Sequence, residues 1–251
     1  MLAVRGYCSG VHRLSNVRVA GYRYHMKAKL RANLDAVEER IAKACARASR
    51  QRSEVTLVAV TKMVTPELAA LLTELGIHDL GENRPQELWR KAAAISGVRW
   101  HLIGHLQRNK VERTLPLVAW VHSVDSVRLL SAMEQDAAKQ KRSMSLLLEV
   151  NASGEATKGG FAPAELPGLV PTLREMKHAR VCGLMTMAPL QEPEACRPTF
   201  RALREMRDQL RSELPSVEHL SMGMSNDFEI AIEEGATFIR LGSVLFEGIR
   251  A

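Results

Sequence analysis

Between Val55 and the C-terminus, one pattern recurs eight times: a short apolar run, a polar turn, and a stretch with apolar residues at helical spacing. The runs are Val55–Val60, Asp79–Glu82, Trp100–Ile103, Val118–His122, Ser145–Val150, Ala179–Met185, His219–Met222 and Phe238–Leu241. Helices are expected at 66–75, 84–95, 109–114, 126–140, 163–177, 194–213 and 227–234, with a terminal one at Phe246–Ala251. Strands that alternate with helices form parallel βαβ units, and eight such units can close into a barrel with no free edge. An open doubly wound sheet is the alternative; the barrel is favoured because no G-x-G-x-x-G follows Val60 and because polar residues cluster directly after the strand ends around the whole cycle. The expected fold is therefore α/β, a single (β/α)8 TIM-type barrel in one domain, as suits 251 residues.

Ahead of the first strand, Leu30, Leu34, Val37, Ile41, Ala44, Cys45 and Ala48 mark one face of an amphipathic helix ending near Ser53. Residues 1–26 show no sustained period and are expected to be a basic leader, either a disordered tail or a start assigned upstream of Met26. The formal charge of +7 originates there: Arg5, Arg13, Arg18, Arg23, Lys27, Lys29 and Arg31 meet no acidic residue before position 32, and the remainder holds 28 basic against 28 acidic side chains. A balanced surface has no summed field to steer polyanions, so nucleic acid is not an expected partner. No apolar run approaches the roughly 20 residues a membrane span needs. Cys8, Cys45, Cys182 and Cys196 lack metal-like spacing and read as free thiols, which leaves the cytoplasm as the expected compartment.

In such a barrel the chemistry sits in the loops at the C-terminal strand ends, and a phosphate is commonly held after strands 7 and 8. That rule selects Lys62 after strand 1, at the end of an apolar strand, where partial desolvation would favour the neutral amine for Schiff-base formation. It selects Gly81-Glu82-Asn83 after strand 2, Gly104 to Lys110 after strand 3, and His122-Ser123-Val124-Asp125 after strand 4. Taken singly, these read as loop and helix-cap chemistry, with Ser123 or Asp125 capping the next helix and His105 and His122 as hydrogen-bonded scaffold. After strand 7, Ser221-Met222-Gly223-Met224-Ser225 runs into a helix whose first N–H groups, with the Ser225 hydroxyl, form a candidate phosphate seat. Gly242 and Ser243 after strand 8 supply its second wall. Arg240 shares a strand face with Phe238 and Gly242, so it aims into the barrel and needs an acceptor, such as an unprotonated pyridine nitrogen.

Together these stretches resemble the pyridoxal phosphate homeostasis protein family over about residues 30–250. The resemblance rests on Ala59-Val60-Thr61-Lys62, Gly81-Glu82-Asn83 with Gln86-Glu87, Trp100 to Gln107 with Asn109-Lys110, and His122-Ser123-Val124-Asp125. It continues through Lys158-Gly159-Gly160-Phe161, Gly183-Leu184-Met185-Thr186-Met187, Ser221-Met222-Gly223-Met224-Ser225 and Arg240-Leu241-Gly242. It implies an alanine-racemase N-terminal-domain-like barrel that carries pyridoxal 5'-phosphate (PLP) as an internal aldimine on Lys62. Asn83 would lie near the ring, Met224, Ser225, Gly242 and Ser243 toward the phosphate, and Arg240 at the ring nitrogen. Asn226 departs from the family pattern, where an aspartate is more usual after the serine, and the basic leader has no counterpart in it.

The function the resemblance implies is PLP homeostasis: a monomeric, cytoplasmic reservoir or carrier without high-turnover catalysis, with apo PLP-dependent enzymes as candidate recipients. A ring nitrogen facing arginine stays unprotonated and makes the cofactor a weak electron sink, which disfavours carbanion chemistry. One alternative is a PLP-dependent amino-acid racemase of low activity. Racemases of that type add a C-terminal β-domain with a tyrosine acid/base, whereas this chain runs nine residues past Gly242 and its tyrosines are Tyr7, Tyr22 and Tyr24. Another is a PLP-free Schiff-base aldolase in which Lys62 meets a carbonyl substrate directly.

Overall fold

In a computed structural model the chain is described at residues 9–155 and 159–249, with side chains from residue 21 onward. Eight parallel strands close a barrel in sequence order: β1 Thr56–Val60, β2 Asp79–Glu82, β3 Arg99–Leu102, β4 Trp120–Val124, β5 Met144–Glu149, β6 Ala179–Met185, β7 His219–Ser221 and β8 Phe238–Leu241. Closure is direct, with Val58 of β1 in register with Arg240 of β8. Alternation sorts the side chains. Leu57 and Ala59 face the helices in the large outer core, while Val58 joins Leu147, Cys182, Met185 and Phe238 in a second cluster inside the barrel, with Trp120 against it.

The helices are α1 Ser9–Arg47, α2 Pro66–Glu74, α3 Pro85–Ala94, α4 Val111–Thr114, α5 Val127–Lys139, α6 Leu166–Glu175, α7 Arg197–Glu213 and α8 Phe228–Glu233. Local chemistry sets their ends. The Thr65 hydroxyl accepts from the Leu68 amide ahead of Pro66 at the first turn of α2, and Gly76, at φ +88°, follows the end of that helix. The cap of α5 is Ser126, which accepts from the Leu129 amide, and not Ser123 or Asp125. Ser123 instead donates to the Gly104 carbonyl at 2.6 Å.

Three expectations change. Strand 4 begins two residues later than its apolar run, because Leu115–Leu117 and its proline form a 3-10 turn; His122 and Ser123 thus lie inside the strand and are buried. The terminal helix at Phe246–Ala251 is not formed: residues 243–248 are turns, and 250–251 lie outside the described residues. The place beside the barrel that a helix after β8 would take is filled by α1, which packs between α8 and α2. Its buried Leu30, Leu34, Val37 and Ile41 supply the apolar stripe. The helical backbone of α1 runs upstream of Met26 into the basic leader, where Arg23 and Lys27 reach Glu74 on α2; residues 1–8 lie outside the described residues. Cys45, Cys182 and Cys196 are buried, and Cys8 lies outside the described residues. Among the described residues no helix is long and apolar enough to cross a membrane.

Candidate functional site

The C-terminal ends of β1, β2, β7 and β8 open onto one cavity of about 590 Å³, whose lining includes Lys62, Asn83, Met224, Ser225, Arg240, Gly242 and Ser243. These seven residues come from four separate strand ends that only the closed barrel brings together. Apolar side chains complete the wall, Val60, Val64 and Ile103 below, with Met63, Met187 and Leu190 exposed around the opening. Lys62 differs from its expected setting: it is exposed, so burial does not strip water from its amine here.

One end of the cavity suits an anion. Gly223, at φ +92°, turns the chain sharply out of β7; a Cβ there would lie 2.6 Å from the Ala231 Cβ. The turn delivers Ser225, and the amides of Gly242 and Val244 both point at its Oγ from 3.4 Å, long for N–H···O. A hydroxyl and two amides thus converge on one place. Some amides around the helix start are already engaged within the turn. The Met224 amide donates to the Asp227 carboxylate at 2.6 Å, and the Asp227 and Phe228 amides donate to the Met224 carbonyl. The turn after β8 supplies the two amides that point at the Ser225 hydroxyl. The Val244 amide was not anticipated, since a backbone N–H leaves no mark on residue type.

The other end is a buried donor. Arg240 projects into the barrel as strand alternation requires, and its Nη1 donates to Ser221 Oγ at 2.6 Å while Nη2 donates to the Thr186 carbonyl at 3.0 Å. Burial pushes its pKa down to about 10, against the opposing charges of Asp227 and Glu149. The guanidinium therefore remains charged at neutral pH and offers only N–H groups to whatever the cavity holds. Glu149 itself is pushed up by burial and by neighbouring Asp125.

Beneath Lys62 and Asn83 lies a buried ion pair. Lys91 of α3 and Glu82 of β2 meet with side chains 1% exposed, and Lys91 Nζ also donates to the Thr61 carbonyl at 2.6 Å. Thr61 Oγ1 donates to Glu82 Oε1 at 2.9 Å and the Asn83 amide to Oε2 at 3.2 Å. Glu82, met in the sequence as loop chemistry, clamps the two strand ends that carry Lys62 and Asn83. The turns after β3 and β4 go elsewhere: His105 pairs with Asp125 at 2.8 Å beside a separate surface depression with Arg108 and Arg128. Lys158 of the glycine-rich stretch lies outside the described residues, while Gly160 packs against the Glu149 backbone at φ +100°. Among the described residues no cluster of His, Cys, Asp or Glu could hold a metal ion.

Comparison with known proteins agrees with this geometry. The alanine racemase N-terminal domain family model matches residues 32–249. A pyridoxal phosphate homeostasis protein of Aquifex aeolicus is 44% identical over 217 residues, covering 85% of this chain and 95% of the relative. The chain belongs to the pyridoxal phosphate homeostasis protein family. Among solved structures, that of PipY of Synechococcus elongatus with PLP bound is 33% identical with a TM-score of 0.73, covering 82% of this chain and 99% of PipY. Alanine racemase of Clostridium difficile aligns at a TM-score of 0.72 with 15% identity, covering 89% of this chain and 60% of the enzyme, a likeness of fold alone.

Proposed function

We propose that this protein binds PLP reversibly in the cavity at the barrel mouth and serves as an intracellular reservoir and carrier of the cofactor. The observation that carries the reading is a single cavity in which an exposed primary amine, a hydroxyl with two convergent amides, and a buried guanidinium are all present. That donor set fits PLP part by part. The Ser225 hydroxyl and the Gly242 and Val244 amides suit a dianionic phosphate, with Ser243 and Met224 walling that end. Arg240 suits a pyridine nitrogen that carries no proton. Asn83 lines the ring side, and Lys62 is the covalent anchor. When bound, PLP supplies an aldehyde carbon to which the Lys62 amine joins with loss of water.

The same reading places residues 27–251 as the working barrel of a cytoplasmic monomer that hands PLP to apo-enzymes. The solved PLP complex of PipY supports the cofactor, and the balanced surface charge beyond position 31 supports small-molecule rather than polyanion binding.

The test is the visible absorbance of purified protein before and after borohydride, followed by peptide mapping. A reducible band with pyridoxyl on Lys62 is expected, and Lys62→Ala should lose the covalent adduct while retaining phosphate-anchored PLP of lower affinity. A colourless protein that takes up no added PLP, or full covalent loading of Lys62→Ala, refutes the reading.

A further inference from the structure

Arg240 is the upper end of a chain of side chains that runs through the barrel interior. Ser221 Oγ, which accepts from Arg240, lies 2.8 Å from His122 Nδ1; His122 Nε2 lies 2.9 Å from His101 Nδ1; and His101 Nε2 lies 2.9 Å from Asp79 Oδ1. Asp79 opens β2 and Arg99 opens β3, and the two pair at the far end of the barrel, where Arg99 Nε donates to Oδ1 at 2.7 Å. All five members from Asp79 to Arg240 are buried, and Asp79, His101, His122 and Ser221 are not part of the cavity wall.

Donor chemistry allows this chain one polarity. A guanidinium only donates and a carboxylate only accepts, while a neutral imidazole and a hydroxyl each donate once within the chain. With Asp79 ionised, His101 must carry its proton on Nε2 and accept on Nδ1. His122 must then donate from Nε2 and accept on Nδ1, so the Ser221 hydrogen is committed to His122 and its lone pair to Arg240. Every bond points from the cavity toward Asp79. The groups facing these members agree with that order. Around Asp79, burial opposes ionisation, but hydrogen bonds from His101 and Arg99 outweigh it and hold the carboxyl at about 2. Burial keeps His101 low against the pull of Asp79, and keeps His122 well below its usual range, helped by the charge of Arg240. Arg240 faces Asp227 and Glu149 as well.

We infer that Asp79, His101, His122 and Ser221 are positioning residues that hold the Arg240 guanidinium in place at the cavity and commit the Ser221 hydrogen to His122, away from the ligand atom that Arg240 meets. This rests on the PLP reading of the cavity. Its consequence for specificity is that the cavity holds the form of a pyridine ligand whose ring nitrogen is unprotonated, for as long as Asp79 is ionised and both histidines are neutral. If the chain is cut, His122 is free to turn its other nitrogen to Ser221. The serine hydrogen then loses its acceptor and competes with Arg240, and solvent can protonate the ring.

Two measurements test this. In wild-type protein without ligand, 15N-histidine NMR should show His101 and His122 as neutral Nε2–H tautomers from about pH 5 to 8. An Nδ1–H tautomer or an imidazolium at either position overturns the inference. With ring-15N-labelled PLP bound, the wild-type signal should stay at the unprotonated position over that range. In Asp79→Leu and Ser221→Ala it should move toward the protonated position as pH falls, with PLP affinity about tenfold weaker. Arg99→Gln, which leaves the chain intact, should behave as wild type. Variants that lose thermal stability yet keep the wild-type signal and an affinity within about twofold would show the chain to be packing alone. Wild-type protein that binds no PLP fails the proposed function itself, a distinct result.

Discussion

Replacing Lys91 with Met isolates the contribution of the buried pair below the cavity. The thioether matches the lysine stem in length and fills its apolar path, so the packing loss is small and the main change is electrostatic. Glu82, whose side chain is 1% exposed, would keep the Thr61 hydroxyl and the Asn83 amide but lose its only opposite charge within 4 Å among the described residues. Removing one partner of a buried ion pair costs about 3–5 kcal/mol, because the remaining charge stays desolvated. For a domain of this length each kcal/mol lowers Tm by about 2–4 °C, so a fall of about 6–20 °C is expected. Urea unfolding followed by far-UV circular dichroism, with Tm from a thermal scan, gives both numbers. The double variant Glu82→Leu/Lys91→Met should recover most of the loss, since it removes the stranded charge. A single variant less than about 1 kcal/mol below wild type would refute the reasoning, as would a double variant no better than the single.

Gly223→Ala forces a side chain into a left-handed conformation, with its Cβ against Ala231 and the Phe228 backbone. It should cost about 1–3 kcal/mol and weaken phosphate-containing ligands, read by urea titration and by PLP binding. Ser225→Ala removes the hydroxyl at the convergence of two amides. PLP affinity should drop about tenfold with pyridoxal, which lacks the phosphate, scarcely affected; fluorescence titration of both ligands decides it. Burial lowers the folded-state pKa of His101, His122 and His219 below the ordinary 6.5. Below that pH the unfolded chain binds protons the barrel refuses, so stability should be level above about pH 7 and fall as pH drops through 6.5. Each histidine that stays neutral in the barrel contributes a slope approaching about 1.4 kcal/mol per pH unit, and His122→Phe should flatten the profile.

The barrel was largely legible because strand and helix periods differ and each apolar run is bounded by turn residues. Asp79–Glu82, Ala179–Met185 and Phe238–Leu241 match the observed strands to the residue. Strand 4 slipped by two because Val118 to Val121 is uniformly apolar, and a run without alternation carries no internal frame. The apolar stripe on α1 announced an amphipathic helix but not which neighbours it covers, so its role beside β8 was invisible. Lys62, Arg240 and Ser225 could be found because the strand-end rule and alternation assign them a direction. The buried chain was harder. The sequence marks His122 as hydrogen-bonded scaffold, which it is, but not its partners, and it assigns His101 no role, although both occupy inward positions in mid-strand. Inward polar residues on several strands are the signal that could have shown it, but only the closed order of β2, β3, β4, β7 and β8 tells which of them touch, above all His122 of β4 and Ser221 of β7.

The exposure of Lys62 bears on the proposed function more than a buried lysine would. A reservoir must release what it binds, and release from a covalent anchor consumes the water that anchoring expels. An amine sealed in an apolar pocket would hold its ligand against hydrolysis, whereas Lys62 stands where solvent reaches it. Retention must then come from parts that do not react. Those parts are the rigid ones: Arg240 is fixed by Ser221 and Thr186, and the Ser225 cradle is set by the tight turn at Gly223. On the proposed reading affinity and covalency are separated, with preorganised donors at both ends of the cavity setting how tightly the ligand would sit and an accessible amine setting how easily the bond would reverse.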